Sequence, residues 1–511
     1  LRGAHAIVRA RRAAQAISMR IVPLMSTTFS RCLRTGAESD SPRLQVFSIS
    51  ALGNKQRFDS TLIRGDRHLR RVVGTGTKTM RNKQSRQSLK IMFSTIACGI
   101  ISTLTFADEP PARPTHSDIQ LERFGDAHMN YEGPPLLSRS AARGASARGN
   151  MFVQVNVANS GLNILGDAAN EPSIAVDPTA PNRMAIGWRQ FDTVESNFRE
   201  AGYAWTNDGG RSWNFEGSLE EDFFRSDPVL DAGPDGTFYY MNLRIESDGD
   251  IVSDMFISND GGQTWPEVHF AFGGDKEWFA IDETGGIGDG NIYQAWNVAG
   301  NSYFPAQFNR SVDGGVTWEQ PVAFTPDSPD PAQPSFGIVE VGPDGAVYIV
   351  GAKNSFQTDT FWLVKSNNAQ DPQATPVFDL VRIVDMGGEF IVGEGPNPGG
   401  LLGQVYVTVD SSGGPTHGNV YMLCSVDPPG IDPLDVHLIR STDGGDTWSD
   451  PIRINDDPPA ANAWQWFGTL SVAPNGRLDV VWNDTRNSMA ENISETYYSY
   501  FNGWRIDMVT Q

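Results

Sequence analysis

An eight-residue pattern of Ser/Thr, Asp, two Gly, Ser/Thr and Trp occurs four times in this 511-residue chain and constrains its fold more than any other feature. Its aspartates are separated by 52, 53 and 130 residues, and a degenerate copy, SNNAQDP (366–372), lies within the long step. Recurrence at a period of this length predicts a repeat architecture. The four copies are TNDGGRSW, SNDGGQTW, SVDGGVTW and STDGGDTW, with their aspartates at Asp208, Asp260, Asp313 and Asp443.

Each copy, here called an octet, follows two apolar runs that meet at a short turn. The distance from that turn to the octet varies only between 24 and 26 residues over four units, as from Asn182 to Asp208. Turns with Asn or Asp beside Gly are typical of β-hairpins. Each unit is therefore predicted to be a hairpin, a third strand, an octet turn and a fourth strand. Six such units, the fifth stretched by an insertion at 411–435, predict an all-β fold: a six-bladed β-propeller of four-stranded antiparallel blades.

The octets themselves are expected to be structural. An aspartate can accept N–H groups of its own turn, and glycine supplies the positive φ that such a turn needs. The terminal tryptophan buries a large apolar surface. These tryptophans are Trp213, Trp265, Trp318 and Trp448.

The segment 80–107 has the three parts of a secretory signal: a basic start, an apolar run and a small residue, Ala107, at the end. We therefore expect a secreted or periplasmic protein after cleavage near Ala107. The predicted organisation is upstream translation or a disordered basic extension over 1–79, a signal peptide over 80–107, a disordered linker over 108–150 and the propeller over 151–511.

The net charge of the chain excludes some classes of binding partner. Residues 1–107 hold 19 of the 40 Lys and Arg but only 4 of the 61 Asp and Glu, so residues 108–511 carry a formal charge of −36. Such a surface repels nucleic acids and anionic membranes. No segment is apolar for the roughly 20 residues that a membrane span needs. Beyond residue 107 only Cys424 remains, so no disulfide is expected, and a monomer is predicted.

The repeated S-x-D-x-G-x-T-W pattern resembles the Asp-box (BNR) repeat of the sialidase, or neuraminidase, superfamily, over roughly residues 171–511. The resemblance implies a six-bladed propeller with a glycan site on the face opposite the octets. Sialidases combine an arginine triad, a tyrosine nucleophile with a carboxylate partner, and an aspartate acid/base. Where the family has its first-blade arginine, this chain has Asn170-Glu171-Pro172.

Three arginines are candidates for binding an anionic glycan. Arg189, Arg244 and Arg486 are placed just past the second strands of blades one, two and six, and guanidinium groups bind carboxylates bidentately. The alternative is that each pairs with a nearby acid, such as Asp484 or Asp192, and only ties down a loop.

Carboxyl groups on the same face are candidates for glycosidic bond cleavage, which needs two of them. The link GDKEWF (274–279) is the richest, with Lys276 able to tune neighbouring carboxyls and Trp278 able to stack on a sugar. The alternative is a charged bend before an aromatic residue that enters the core. The predicted catalytic residues are Asp227, Glu277, Asp484 and Tyr497, and Lys276 and Trp278 join the three arginines as predicted substrate-binding residues.

Other chemistries find no motif: neither H-E-x-x-H nor G-x-S-x-G occurs. No cofactor is predicted, and a structural calcium ion is left open. Two functions follow. The first is an exported sialidase-like glycoside hydrolase acting on an acidic glycan. The second is a non-catalytic Asp-box propeller that binds glycans or proteins outside the cytoplasm.

Overall fold

The computed structural model describes backbone and side chains for residues 153–158, 160–193, 197–298, 300–398, 400–487 and 496–501. It describes the backbone alone at 146–147, 150–151, 495, 502 and 505–510. The predicted signal peptide and upstream extension, and most of the predicted linker, lie outside these residues.

The described chain forms a six-bladed β-propeller, as predicted. Five blades are four-stranded antiparallel sheets and one has three strands, and in every blade the strands pair in chain order. Two small two-stranded sheets lie outside the blades: β1 (Ser146–Ala147) with β2 (Asn150–Met151), and β16 (Gln357–Thr358) with β19 (Phe390–Ile391).

The strands of the six blades have the following bounds. Blade 1 contains β3 (Ala168–Val176), β4 (Met184–Phe191), β5 (Glu200–Thr206) and β6 (Asn214–Ser218). Blade 2 contains β7 (Ser226–Ala232), β8 (Phe238–Ile245), β9 (Ile251–Ser258) and β10 (Glu267–Phe270). Blade 3 contains β11 (Trp278–Ile281), β12 (Ile292–Ala295) and β13 (Phe308–Ser311). Blade 4 contains β14 (Val339–Val341), β15 (Val347–Ala352), β17 (Phe361–Ser366) and β18 (Leu380–Val384). Blade 5 contains β20 (Tyr406–Val409), β21 (Val420–Val426), β22 (Asp435–Ser441) and β23 (Ile452–Arg453). Blade 6 contains β24 (Gln465–Val472), β25 (Arg477–Asp484), β26 (Glu495–Asn502) and β27 (Arg505–Thr510).

Two details differ from the sequence prediction. The fourth strand of blade 3 is reduced to a single antiparallel bridge between Phe308 and Val322. Pro321 precedes that bridge, and proline has no N–H to donate to a ladder. The predicted insertion at 411–435 in blade 5 contains the regular second strand β21, and only the segments on either side of it are loops.

Burial on both faces of each sheet explains the apolar runs in the sequence. In β8, Phe238 and Tyr240 belong to a core cluster shared with blade 1, whereas Tyr239 and Met241 belong to one shared with blade 3. Five interfaces between consecutive blades, from the one between blades 1 and 2 to the one between blades 5 and 6, each have their own buried apolar cluster. The first strands line the axis: Trp278 of β11 reaches Tyr406 of β20, two blades away, with ring centroids 6.3 Å apart.

The octet turns are held by hydrogen bonds within the turn. In the last octet the Thr447 N–H and hydroxyl donate to the two carboxylate oxygens of Asp443, at 2.9 and 2.6 Å. The Ser441 hydroxyl donates to Asp443 at 2.8 Å and accepts the Gly445 N–H at 2.8 Å. The turns at Asp208, Asp260 and Asp313 repeat this bonding. These contacts assign the four octets a structural role.

The degenerate copy in blade 4 is held differently. The Arg310 guanidinium, buried in blade 3, donates to the backbone carbonyls of Ala369, Asp371 and Ala374 at 2.5 to 2.8 Å. Glu319 holds the same guanidinium at 3.0 Å. A side chain from the neighbouring blade therefore stabilises a turn that has lost the octet aspartate.

Candidate functional site

In five of the six blades a residue of positive φ lies within three positions of the first residue of the first strand. These residues are Glu171, Asp227, Lys276, Phe336 and Phe467, with φ between 49° and 59°. In blades 1, 2 and 6 the strand pairing shifts register at this point, as at a β-bulge. We call the positive-φ residue and the residue after it the corner pair. Because the octet turns lie at the other ends of the blades, the corner pairs share the face opposite them.

The corner pairs of blades 1, 2 and 3 meet in one charged cluster. Lys276 Nζ lies 2.8 Å from an Asp227 carboxylate oxygen and 3.7 Å from a Glu171 carboxylate oxygen. Arg189 of β4 approaches Glu171 at 3.2 Å and donates to the Asn170 side chain at 2.7 Å. Four ionic side chains from three blades thus converge near the axis.

Charge pairing fixes the ionisation of the central pair. Burial would raise the pKa of Asp227, but Lys276 and Arg189 outweigh it and hold that pKa well below its usual range. Burial would lower the pKa of Lys276, but Asp227, Glu171 and Asp275 raise it overall. Asp227 is therefore a carboxylate and Lys276 an ammonium at neutral pH.

Glu277 is the second corner residue of blade 3 and behaves in the opposite way. Its side chain is 1% exposed, and neither carboxyl oxygen has a side-chain hydrogen-bond partner among the described residues. Burial, and next the negative charge of Asp227, raise its pKa well above the usual value of 4.5. The other second corner residues are Pro172, Pro228, Gly337 and Gly468. The other four blades form the same corner with proline or glycine at this position. The fold therefore does not require the carboxyl of Glu277.

Further buried polar groups line the interface between blades 2 and 3. Gln294 of β12 pairs with Phe279, two residues after Glu277, and its amide has no hydrogen-bond partner among the described residues. The Ser253 hydroxyl of β9 is likewise unpartnered there. Both side chains crowd Gly273, since a β-carbon at Gly273 would lie 2.1 Å from Ser253 Oγ and 2.5 Å from Gln294 Nε2. Unsatisfied buried groups of this kind require a water or ligand partner.

Trp278, predicted to stack on a sugar, lies next to this cluster. It is half-buried, packs against the core between blades 4 and 5, and meets the Tyr406 ring edge-on at an interplanar angle of 77°. Burial raises the pKa of the Tyr406 hydroxyl, although a hydrogen bond with Thr469 of blade 6 opposes the shift. We call the surface around the propeller axis on this face the axial depression. It therefore has aromatic side chains next to the charged cluster.

The other two predicted arginines bind carboxylates of their own. Arg244 donates to Asp254 at 2.7 Å and pairs with Glu246. Asp254 also accepts from the buried Arg225 at 2.7 Å. Arg486 pairs with Asp484 at 2.7 Å, Asp456 at 2.5 Å and Asp457 at 3.2 Å. In blade 2 and in blade 6, one of these guanidinium groups thus links two or more carboxylates of the protein itself.

The predicted catalytic residues Asp484 and Tyr497 belong to the blade 6 group. Asp484 is buried and accepts from the Trp482 indole at 3.0 Å as well as from Arg486. Tyr497 accepts from Asn487 at 2.7 Å, stacks on Trp482 and lies under the Arg486 guanidinium at 4.3 Å. Ion pairs thus join Arg189, Asp227 and Lys276, through Glu171, in one cluster, and the charges of Asp227 and Lys276 act on the adjacent Glu277. Arg486, Asp484 and Tyr497 form another cluster.

A cleft of about 450 Å³ lies in blade 4, beside the small sheet of β16 and β19. Its lining residues include Lys353, Thr358, Asp359 and Glu389, none of which is a corner residue. We place the candidate site at the corner cluster because there the pKa of Asp227 is lowered and that of Glu277 is raised beside a Lys276–Asp227 ion pair. Among the described residues, no group of three or more His, Cys, Asp or Glu side chains is arranged to hold a metal ion. None of the helices in that part of the chain is long and apolar enough to cross a membrane.

Sequence reasoning counted Glu171 among the carboxyl groups on this face but did not choose it as a catalytic or binding residue, and it missed the two aromatic corner residues. Glu171-Pro172 and Asp227-Pro228 lie within the first strands β3 and β7 of successive blades, so a repeated acid-proline pair was the available signal. Phe336 and Phe467 are each followed by glycine, but nothing in those two dipeptides relates them to the acid-proline pairs.

The chain matches no protein-family model and no curated protein. Solved structures that it matches include sialidases and an arabinofuranosidase. A leech intramolecular trans-sialidase has 11% identity and a TM-score of 0.41, over 66% of this chain and 68% of that one. The NanB sialidase of Streptococcus pneumoniae, as a point mutant, has 9% identity and a TM-score of 0.40, over 66% and 68%. An α-L-arabinofuranosidase from Fusarium graminearum has 14% identity and a TM-score of 0.41, over 65% and 93%.

Proposed function

We propose that this protein is a glycoside hydrolase in which Glu277 is the acid and Asp227 its ionised partner. The observation that carries the proposal is the pair of opposed pKa shifts of two buried carboxyl groups beside the Lys276–Asp227 ion pair. A raised pKa favours the protonated form of Glu277, and a lowered pKa keeps Asp227 charged. Such a pair supplies the acid and the base or nucleophile of glycosidic bond cleavage.

In this mechanism Glu277 gives its proton to the glycosidic oxygen as the bond to the anomeric carbon breaks. Asp227 stabilises the positive charge that develops on the sugar. Water then adds to the anomeric carbon, keeps one proton in the new sugar hydroxyl and gives the other to the Glu277 carboxylate, which restores the acid. Lys276 holds Asp227 in its charged form through the 2.8 Å contact. Glu171, whose side chain is 38% exposed, is the carboxylate that an arriving sugar hydroxyl reaches first.

The charge balance bears on the substrate. The arginines led to the prediction of an acidic glycan, yet Arg189, Arg244 and Arg486 each bind carboxylates of the protein. A carboxylated sugar would have to compete with those internal partners. We therefore propose neutral glycosides as the preferred class and keep sialosides and uronides as the comparison in the same assay.

The burial of the acid pair favours a second candidate, a non-catalytic glycan-binding propeller. Asp227 is 7% exposed and Glu277 is 1% exposed, so a substrate reaches them only by displacing neighbouring side chains. A binding propeller needs no such displacement. Hydrolysis and binding are separable by experiment.

The test is hydrolysis of neutral glycosides, uronides and sialosides by the full chain and its variants. We expect Glu277→Gln and Asp227→Asn to lower kcat by at least a hundredfold, the usual contribution of a general acid or base being roughly 10² to 10⁴. The control is Glu267→Gln, which changes a carboxyl on the outer strand β10 whose side chain is 68% exposed. Glycan binding without turnover by the unmodified chain would favour the binding propeller, and full activity of Glu277→Gln would exclude the proposed acid.

Export remains part of this proposal and rests on the segment 80–107 alone. Mass spectrometry of the protein recovered from its native host should find an N-terminus near residue 108. An intact N-terminus upstream of residue 80 would contradict the signal-peptide interpretation.

A further inference from the structure

The corner positions divide the axial depression into two unlike halves. Blades 1, 2 and 3 place Glu171, Asp227 and Lys276 there, whereas blades 4 and 6 place Phe336 and Phe467 at the same structural position. We propose that Phe336 and Phe467 form an aromatic wall that binds the apolar face of a sugar while the charged corners bind its hydroxyls. This inference rests on the proposed glycan-directed function and adds the residues that orient the glycan.

Backbone conformation is the first argument. Phe336 has φ of 59° and Phe467 of 50°, and a bulky residue in this region is a genuine outlier. Glycine or asparagine would adopt the same turn with less strain. Strain that the fold does not need is concentrated at functional sites. We therefore attribute the bulky ring at each corner to the contacts that it makes and not to a requirement of the fold.

The following residue shows what the fold does require at these corners. A β-carbon at Gly337 would lie 1.9 Å from the Val350 carbonyl oxygen, so that position must be glycine. A β-carbon at Gly468 would meet Leu423 and Val436 at 3.0 Å. Close packing thus explains the two glycines, but it does not explain a phenylalanine before each of them.

Each ring is supported from behind. Phe336 stacks nearly parallel on the buried Phe390, with centroids 5.4 Å apart and an interplanar angle of 11°. Phe467 packs against Trp466 at 5.4 Å. Both phenylalanines are half-buried as residues and are not enclosed in the core. A supported ring of this kind is a pre-organised binding surface.

The surroundings match a sugar better than a lipid or a peptide. Phe336 packs on the same core cluster as Trp278 and Tyr406, which continue the aromatic surface toward the axis. Glu171 and Lys276 are the partly exposed polar groups of the charged half. Aromatic surface combined with a few convergent polar groups is the usual composition of a small-ligand site. A pyranose, with one C–H face and equatorial hydroxyls, fits that division.

The test is calorimetric binding of cellotetraose, galactotetraose and 3′-sialyllactose to the full chain carrying Glu277→Gln, so that turnover does not interfere. In that background we expect Phe336→Leu and Phe467→Leu each to weaken the best ligand by about tenfold. Phe→Trp at either position should retain binding, because an aromatic face is preserved. The control is Phe356→Leu, which changes an 83% exposed phenylalanine that is not a corner residue.

The outcomes separate this inference from the proposed hydrolase. Unchanged affinity in both leucine variants, or equal weakening by the tryptophan variants, overturns the aromatic wall. So does the absence of binding by all three glycans at millimolar concentration. If the leucine variants lose affinity while Glu277→Gln in the otherwise unmodified chain hydrolyses normally, the aromatic wall stands and the proposed acid fails. If hydrolysis needs Glu277 but KM does not respond to the leucine changes, the reverse holds.

Discussion

Replacing Glu277 with glutamine should make the protein more stable, by an amount that grows with pH. The glutamate is fully buried, and its pKa is raised well above 4.5 by burial and by the charge of Asp227. Glutamine has the same shape and carries no charge. It removes the cost of ionising a buried carboxyl without breaking an ion pair, because the cation Lys276 is paired with Asp227.

The sign and size follow from proton linkage. Below about pH 4.5 the folded and unfolded chains both hold this proton, so the group does not affect stability. Above that pH the unfolded chain releases the proton while the folded chain keeps it, so the free energy of unfolding falls as pH rises. The slope approaches about 1.4 kcal/mol per pH unit and persists up to the folded pKa. Between pH 5 and 6 the native protein should therefore lose about 1 kcal/mol relative to Glu277→Gln.

Urea unfolding of both proteins at several pH values measures this difference directly, and groups common to both proteins cancel. Glu267→Gln, an exposed carboxyl change, serves as the control and should follow the native protein. A stability difference that stays constant from pH 5 to pH 6 would show that Glu277 is ionised in the folded protein. It would then be unable to serve as the acid, and the proposed mechanism would lose its basis.

Two further predictions concern the turns that close the blades. Ser441→Ala should lower the free energy of unfolding by about 1–3 kcal/mol, because it leaves the buried Gly445 N–H without its 2.8 Å acceptor. Denaturant unfolding measures this change, and glycan affinity should stay unchanged, since the octet lies opposite the corner face. Arg310→Met should cost about 3 kcal/mol or more, because it leaves three carbonyls of the degenerate turn unpaired. Hydrogen exchange should then show faster opening of residues 366–375, and unchanged protection there would contradict the role given to Arg310.

How much of this protein was predictable depends on how local the determining contacts are. The octets and hairpin turns use hydrogen bonds between residues two to four positions apart, as between Ser441, Asp443 and Thr447. The sequence therefore predicts the blade number correctly. The charged cluster depends on residues from three blades: Lys276 contacts Asp227 and Glu171, which precede it by 49 and 105 positions. No spacing rule links them, so their ion pairing could not be predicted.

The loss of the fourth strand in blade 3 has the same kind of explanation. Four-strand periodicity predicts a strand there, but Pro321 removes a donor at its start, and only the bridge from Phe308 to Val322 forms. The role of Arg310 was equally hidden, because its acceptors lie about 60 residues further along the chain. In both cases local pattern predicts the ideal blade, and a departure from it needs the three-dimensional contacts.

A comparison of the two faces locates function without reference to any other protein. On the octet face the first hairpin turns follow a two-blade period. Blades 1, 3 and 5 begin theirs with a buried aspartate that accepts an N–H two residues later, and blades 2, 4 and 6 use Pro-Asp-Gly or Pro-Asn-Gly. The buried aspartates are Asp177, Asp282 and Asp410.

The corner face follows no such period, although its backbone geometry is equivalent from blade to blade. The same positive-φ position carries two acids, a lysine and two phenylalanines, and the next position carries proline, glycine or, once, Glu277. Positions that the fold constrains carry recurring residue types, because the packing of equivalent positions is similar from blade to blade. Positions with a common backbone and divergent side chains are those the fold leaves open. In this protein the divergent positions include a buried carboxyl with a raised pKa, an ion pair and two aromatic residues of positive φ around one axis, which is the composition expected of a binding or catalytic site.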